Sequence, residues 1–293
     1  MRVENYVFRA GLDKGDIAAK KRLGAKSFEI SLGAESRDEI IQKLGDIDLN
    51  GIDIVSVVPA IKPGLDKNYV TFSNLDEFDE SEAFEDAIVV ADYFASELNH
   101  RVRVILYNDY FIEKSNFTLM TKYSSIIVKL ADLLERFPSI DIVVANAAPF
   151  FVKNGNLSFT GYSTGSCQRL VKGLNQYIPG NRIKLGFSVC NALIAAKLEA
   201  IVSGQENSAN TFVDSFDRFA SSLNYIQIAN VRDYGYRTDE RNAEFHEDDK
   251  EFLIGILGTI ESMVPYCMRS LSIDTVNPKV DLATTISTIK EMA

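Results

Sequence analysis

The sequence is short of the side chains that hold transition metals and of segments that could cross a membrane. Its 293 residues include two histidines, His100 and His246, and three cysteines, Cys167, Cys190 and Cys267. The cysteines are odd in number and lack a CxxC spacing. That excludes a disulfide frame or a zinc knuckle and points to a reducing, cytoplasmic setting. No apolar run approaches the length of a bilayer span, so no membrane partner is expected. The first residues, Met1-Arg2-Val3-Glu4-Asn5-Tyr6, have no basic stretch leading into an apolar one, and no secretory leader is expected. No basic stripe is present, and the formal net charge is −10. An acidic surface repels phosphate backbones, which argues against a nucleic-acid partner. Low-complexity tracts and proline-rich linkers are missing too, so residues 1–293 read as one domain.

Apolar residues make up 46% and charged residues 25%, which suits a packed core with a wet surface. Short β-branched runs alternate with longer helical patterns from end to end. Strands are predicted at 6–8, 26–32, 52–58, 102–106, 142–145, 183–189, 225–231 and 271–273, each followed by a helical pattern. Ser36 is placed to cap a helix with Glu39. No strand pair is read as joined by a two-residue turn. Strict alternation implies parallel strands with right-handed crossovers, and eight units at this length fit a closed (βα)8 TIM barrel, an α/β fold. The rival is a doubly wound open sheet, but no glycine-rich phosphate motif follows the first strand.

Several strands alternate small or polar residues with bulky ones. Ser27, Glu29 and Ser31 alternate with Phe28, Ile30 and Leu32; Gly186, Ser188 and Cys190 alternate with Leu185, Phe187 and Val189; Ser270, Ser272 and Asp274 alternate with Leu271 and Ile273. The bulky set is expected to face the helices and the small set the barrel interior. Serines there simply fit a tapering core, but charged Glu29 and Asp274 require a partner or a ligand. Two polar loops, at 66–80 and 234–248, follow odd-numbered strands on the face where barrels place active sites.

The order of these pieces resembles the xylose isomerase-like barrels, which include keto-sugar epimerases, inositol-pathway enzymes and endonuclease IV. The resemblance spans nearly the whole chain. It is carried by Gly24-Ala25-Lys26-Ser27-Phe28-Glu29-Ile30, Ala145-Asn146-Ala147-Ala148-Pro149, Leu185-Gly186-Phe187-Ser188-Val189-Cys190, Asn230-Val231-Arg232-Asp233 and Asp274. It implies a mouth where four side chains hold one divalent metal: a Glu ending strand five, an Asp ending strand six, a His ending strand seven and a Glu ending strand eight. Here the first falls on Ala145 or Asn146, the second on Cys190 and the third on Asn230; only Asp274 keeps a carboxylate. The His that usually follows three residues after the Asp falls on Leu193. Hard cations want several carboxylates and transition metals want imidazole or thiolate, so no metal ligand set is assigned. The exception is weak zinc or manganese binding through Asp274, Cys190 and a mobile His246. The histidine-rich site of endonuclease IV-type chemistry is excluded.

Two readings follow from the residues. In one, an isomerase or epimerase moves protons on a sugar or polyol without the usual metal. Glu29, Asp109, Asp233 and Asp274 are the acids or bases, and Lys62 and Arg237 steady an oxyanion. In the other, catalysis is lost and Asn108, Asn146 and Asn230 bind hydroxyls at the mouth, or the barrel docks a protein. Cys190 reads as thiolate, soft ligand or small buried hydrophobe. Glu29, Asn108, Cys190, Asn230 and Asp274 are expected to meet in one pocket.

Overall fold

A computed structural model describes residues 5–33, 35–59, 70–108, 116–147, 150–153, 156–159, 164–204, 223–228, 254–255, 258 and 270–273. The elements run β1 (Asn5–Gly11), α1 (Lys14–Arg22), β2 (Ser27–Ser31), α2 (Arg37–Asp46), β3 (Asp53–Val58), α3 (Phe78–Leu98), β4 (Val102–Asn108) and α4 (Asn116–Arg136). There follow β5 (Ile140–Asn146), β6 (Phe150–Lys153), β7 (Asn156–Phe159), α5 (Thr164–Tyr177), β8 (Ile183–Ser188), α6 (Val189–Ser203), β9 (Leu223–Ile228) and β10 (Ser270–Ile273).

Eight strands pair in parallel around a closed ring, β1-β2-β3-β4-β5-β8-β9-β10 and back to β1. Closure leaves the eight-stranded ring without a free edge strand, which answers the rival open sheet. Helices are described after six of the eight strands, β1 to β5 and β8. The predicted helices at 212–223 and 282–292 fall largely or wholly outside the described residues. Among the described residues, no helix is long and apolar enough to cross a membrane.

Local chemistry sets the helix starts. The Ser36–Glu39 capping box forms as predicted: Ser36 N–H donates to Glu39 Oε2 at 2.8 Å, and Glu39 N–H to Ser36 Oγ at 3.4 Å. Asp13 caps α1 by accepting from Gly15 and Asp16 N–H at 2.8 and 2.9 Å. Ser188 caps α6, so β8 stops there and the helix begins at Val189, three residues before the predicted start at 192.

Two predictions need correction. The chain does contain a tight hairpin: β6 and β7 pair antiparallel, from Phe150↔Phe159 to Lys153↔Asn156, as an insert between β5 and α5. The sequence signal was Asn154-Gly155 between two strand-forming runs. The acidic loop at 66–80 is not all loop. Val70, Thr71, Phe72 and Leu75 are buried, a 3₁₀ turn spans Phe72–Asn74, and Asp79 and Glu80 lie in the first turn of α3, where the helix dipole favours them. The loop at 234–248 lies outside the described residues.

Among the described residues, two apolar clusters stand apart. The larger fills the space between strands and helices, with Phe8, Phe28, Ile30, Leu106, Val144 and Phe187 among the strand side chains. The smaller lies inside the ring: Val58, Ile105, Tyr107, Val143, Ala145, Ala147 and Tyr225. Gly186 sits against this inner cluster, where a Cβ would come within 2.5 Å of Val143 Cγ1 and 3.1 Å of Tyr225 Cδ1.

Candidate functional site

Glu29 points inward, as its alternation predicts, and the partner its charge required is Arg9. Arg9 Nε and Nη2 donate to Glu29 Oε1 at 2.9 and 2.7 Å. The other carboxylate oxygen accepts from Ser56 Oγ at 2.7 Å and from the Tyr225 hydroxyl at 2.6 Å. All four residues are buried. Both oxygens of the carboxylate are thus engaged, each by two donors. A carboxylate held this way ties β1, β2, β3 and β9 together across the interior. Burial pushes the Tyr225 phenol well above its ordinary value, and the negative charge of Glu29 pushes it the same way. Tyr225 therefore stays a neutral donor to the carboxylate.

Above this tie, toward the C-terminal ends of the strands, the Tyr107 hydroxyl donates to Gln227 Oε1 at 3.2 Å. Tyr107 and Ala145 are register partners, each one residue from the end of its strand. Sequence reading missed Arg9 and Tyr107 because the predicted strands stopped at Phe8 and Leu106. An extended alternation, Val7-Arg9-Gly11 and Ile105-Tyr107, would have placed both inside.

The two described asparagines do not line the interior. Asn108 follows Val104 and Leu106, which pack in the outer cluster, and its side chain bonds the buried Cys167 thiol of α5. Burial pushes that thiol up to about 12, so it stays protonated and unreactive. Asn146 follows Ile142 and Val144 on the same outward parity. Its amide clasps the backbone of Ser188, donating to the carbonyl at 3.1 Å and accepting from the N–H at 2.7 Å. Backbone pairing between β5 and β8 ends at Val144↔Leu185, and the Asn146 side chain takes over where the ladder stops. Asn191 Nδ2 adds a bond to the Asn146 carbonyl at 2.9 Å.

Cys190 is also displaced from its expected place. Because the helix starts at Val189, Cys190 lies in the first turn of α6 and packs in the outer cluster with Val189, Leu193 and Ile194. The expected meeting of Glu29, Asn108 and Cys190 in one pocket therefore does not occur: Glu29 is inside the ring and the other two are between strands and helices. Lys62, Asp109, Asn230, Asp233, Arg237, His246 and Asp274 lie outside the described residues. His100 stands before β4, at the N-terminal end of the barrel, where its Nε2 lies 2.5 Å from Asp53 Oδ1.

The described residues do not fit the divalent site that the resemblance implies. At the two positions where the resemblance implies a carboxylate on the fifth strand, Ala145 brings a methyl group into the inner cluster and the Asn146 amide is bonded to Ser188. Cys190 is buried on the far side of the strands, so of the suggested zinc ligands only Asp274 and His246 are left. Among the described residues, no group of three or more His, Cys, Asp or Glu side chains is placed to hold a metal ion.

No family model matches the sequence, and no curated protein matches it. Solved structures do match in shape over almost the whole chain. A xylose isomerase domain protein from Planctomyces limnophilus superposes with a TM-score of 0.59 at 12% identity, covering 99% of this chain and 96% of that one. A D-tagatose 3-epimerase-like protein gives 0.56 at 16% identity over 97% and 94% of the two chains. The IOLI protein with a binding zinc atom gives 0.56 at 14% identity over 98% and 96%. At such identities the likeness is one of fold, and the fold is that of the xylose isomerase-like TIM barrels.

Proposed function

We propose that this chain is a sugar isomerase- or epimerase-like barrel that takes a small polyhydroxylated metabolite at its C-terminal mouth, with the divalent-metal site that the resemblance implies largely lost. The observation that carries this reading is Ala145. It stands in the inner cluster one residue from the end of β5, beside Tyr107, and with Asn146 it is one of the two positions where the resemblance implies a carboxylate. A hydroxyl and an amide, Tyr107 and Gln227, meet across the interior close by. Neutral groups of this kind suit sugar hydroxyls. The sugar-directed names of the neighbouring structures support the same ligand class. Asp233, Asp274, Lys62, Asn230 and Arg237 follow strands β9, β10 and β3 in sequence and are the proposed contacts at the rim, with the acids and Lys62 as candidates for proton transfer. Glu29 is assigned to the barrel interior rather than to proton transfer, because its oxygens are already engaged.

The test is thermal melting with D-fructose, D-tagatose and myo-inositol, with and without EDTA. At least one ligand is expected to raise the melting midpoint by the same amount in both conditions. At a hundredfold excess over Kd, binding adds about 2.7 kcal/mol. Stabilisation that vanishes with EDTA would restore a metal-dependent site.

A further inference from the structure

Thr71 stands apart from the other buried polar groups. It is 2% exposed, and its Oγ1 has no hydrogen-bond partner among the described residues. The other two unbonded buried side-chain atoms among the described residues are Asp86 Oδ1 and Arg182 Nε. Both face ion-pair partners, Arg37 Nε at 3.4 Å and Asp141 Oδ1 at 3.6 Å. Among the described residues, no such ion-pair partner faces Thr71. A buried hydroxyl left open is unfavourable, and such groups in native structures call for a water, an ion or a ligand.

The pairing tells which way Thr71 faces. The Tyr107 N–H donates to the Val70 carbonyl at 3.2 Å, and Thr71 bridges Tyr107 in parallel register. Residues paired in a ladder lie on the same side of the sheet. Tyr107 belongs to the inner cluster, whereas Val70 and Phe72, on either side of Thr71, belong to the outer one. Thr71 therefore stands on the interior side, at the C-terminal end of β4.

We propose that Thr71, Tyr107 and Gln227 form a subsite for one hydroxyl or carbonyl of a neutral polyhydroxylated ligand, with Thr71 Oγ1 supplying the bond the protein leaves open. This rests on the reading of the mouth as a sugar or polyol site. All three side chains are neutral, and each can donate as well as accept. Tyr107 links the three: Thr71 pairs with it on one edge of β4, Ala145 on the other, and its hydroxyl reaches Gln227.

The experiment compares the full chain with Thr71→Val and Thr71→Ser. Each protein is melted without ligand and titrated by calorimetry with D-fructose, D-tagatose and myo-inositol. Thr71→Val is expected to melt about 2 °C higher, because a methyl replaces an open hydroxyl. It should also bind the ligand taken by the parent chain about tenfold more weakly. Thr71→Ser, which keeps the hydroxyl, is expected to bind like the parent. If Thr71→Val melts higher with unchanged affinity, the hydroxyl serves structure or a bound water only. That result overturns the subsite and leaves the sugar-site reading standing. A folded parent chain that binds none of the three probes overturns that reading and the subsite together.

Discussion

Glu29→Ala is expected to melt about 10 °C below the parent chain, from a loss of about 3–5 kcal/mol. The size of the effect comes from what stays behind. Arg9 is 6% exposed, so removing the carboxylate takes two charge-assisted bonds from a guanidinium in the barrel interior. Ser56 and Tyr225 also lose the oxygen they both bond. Breaking a buried pair from one side is far worse than replacing both partners with apolar groups of similar size. The double substitution Arg9→Met with Glu29→Leu should therefore recover much of the loss, measured by the same thermal melt. If Glu29→Ala melts like the parent and instead abolishes turnover of a sugar, Glu29 acts on substrate and the assignment to the interior is wrong.

Gly186→Ala is expected to cost about 1–3 kcal/mol, the usual range for overpacking a filled core. The new methyl would lie 2.5 Å from Val143 Cγ1 and 3.2 Å from Ala145 Cβ, both on β5, and 3.1 Å from the Tyr225 ring. None of these neighbours is the free end of a flexible chain, so β8 itself must shift, and with it the Tyr225 bond to Glu29. Val143→Ala removes the closest contact. Chemical denaturation of the double variant should show positive coupling, with Gly186→Ala much less harmful in the Val143→Ala background. Additive losses would mean that the clash is relieved elsewhere.

Much of the architecture was legible because barrel units repeat one simple pattern. The β-branched runs marked all eight ring strands, and Ser36 with Glu39 marked a helix start. Glu29 was legible too, since an inward charge demands a partner; the partner was missed because the first strand was ended one residue before Arg9. What stayed hidden depends on register. Extra residues in β3 and β9 shift the pairing between Phe28 and Glu29 and between Leu185 and Gly186, and alternation cannot show that. Asn108 and Asn146 look like sugar ligands in sequence. Their strands place them on the same parity as Leu106 and Val144, so their amides serve the outer layer instead. Cys190 continues the alternation of β8 on paper, but the Ser188 cap turns the chain into a helix before it. Thr71 carried no signal, because its importance lies in a bond that is not made.

The most direct test of a sugar-binding barrel without the divalent site is the metal content of the full chain, purified without chelator or affinity tag and read by elemental analysis. The expected result is far less than one manganese or zinc per chain, since Ala145 brings no ligand and Cys190 is packed in the outer core. One tightly held metal per chain, lost on Asp274→Ala, would contradict this and restore a metal-dependent isomerase.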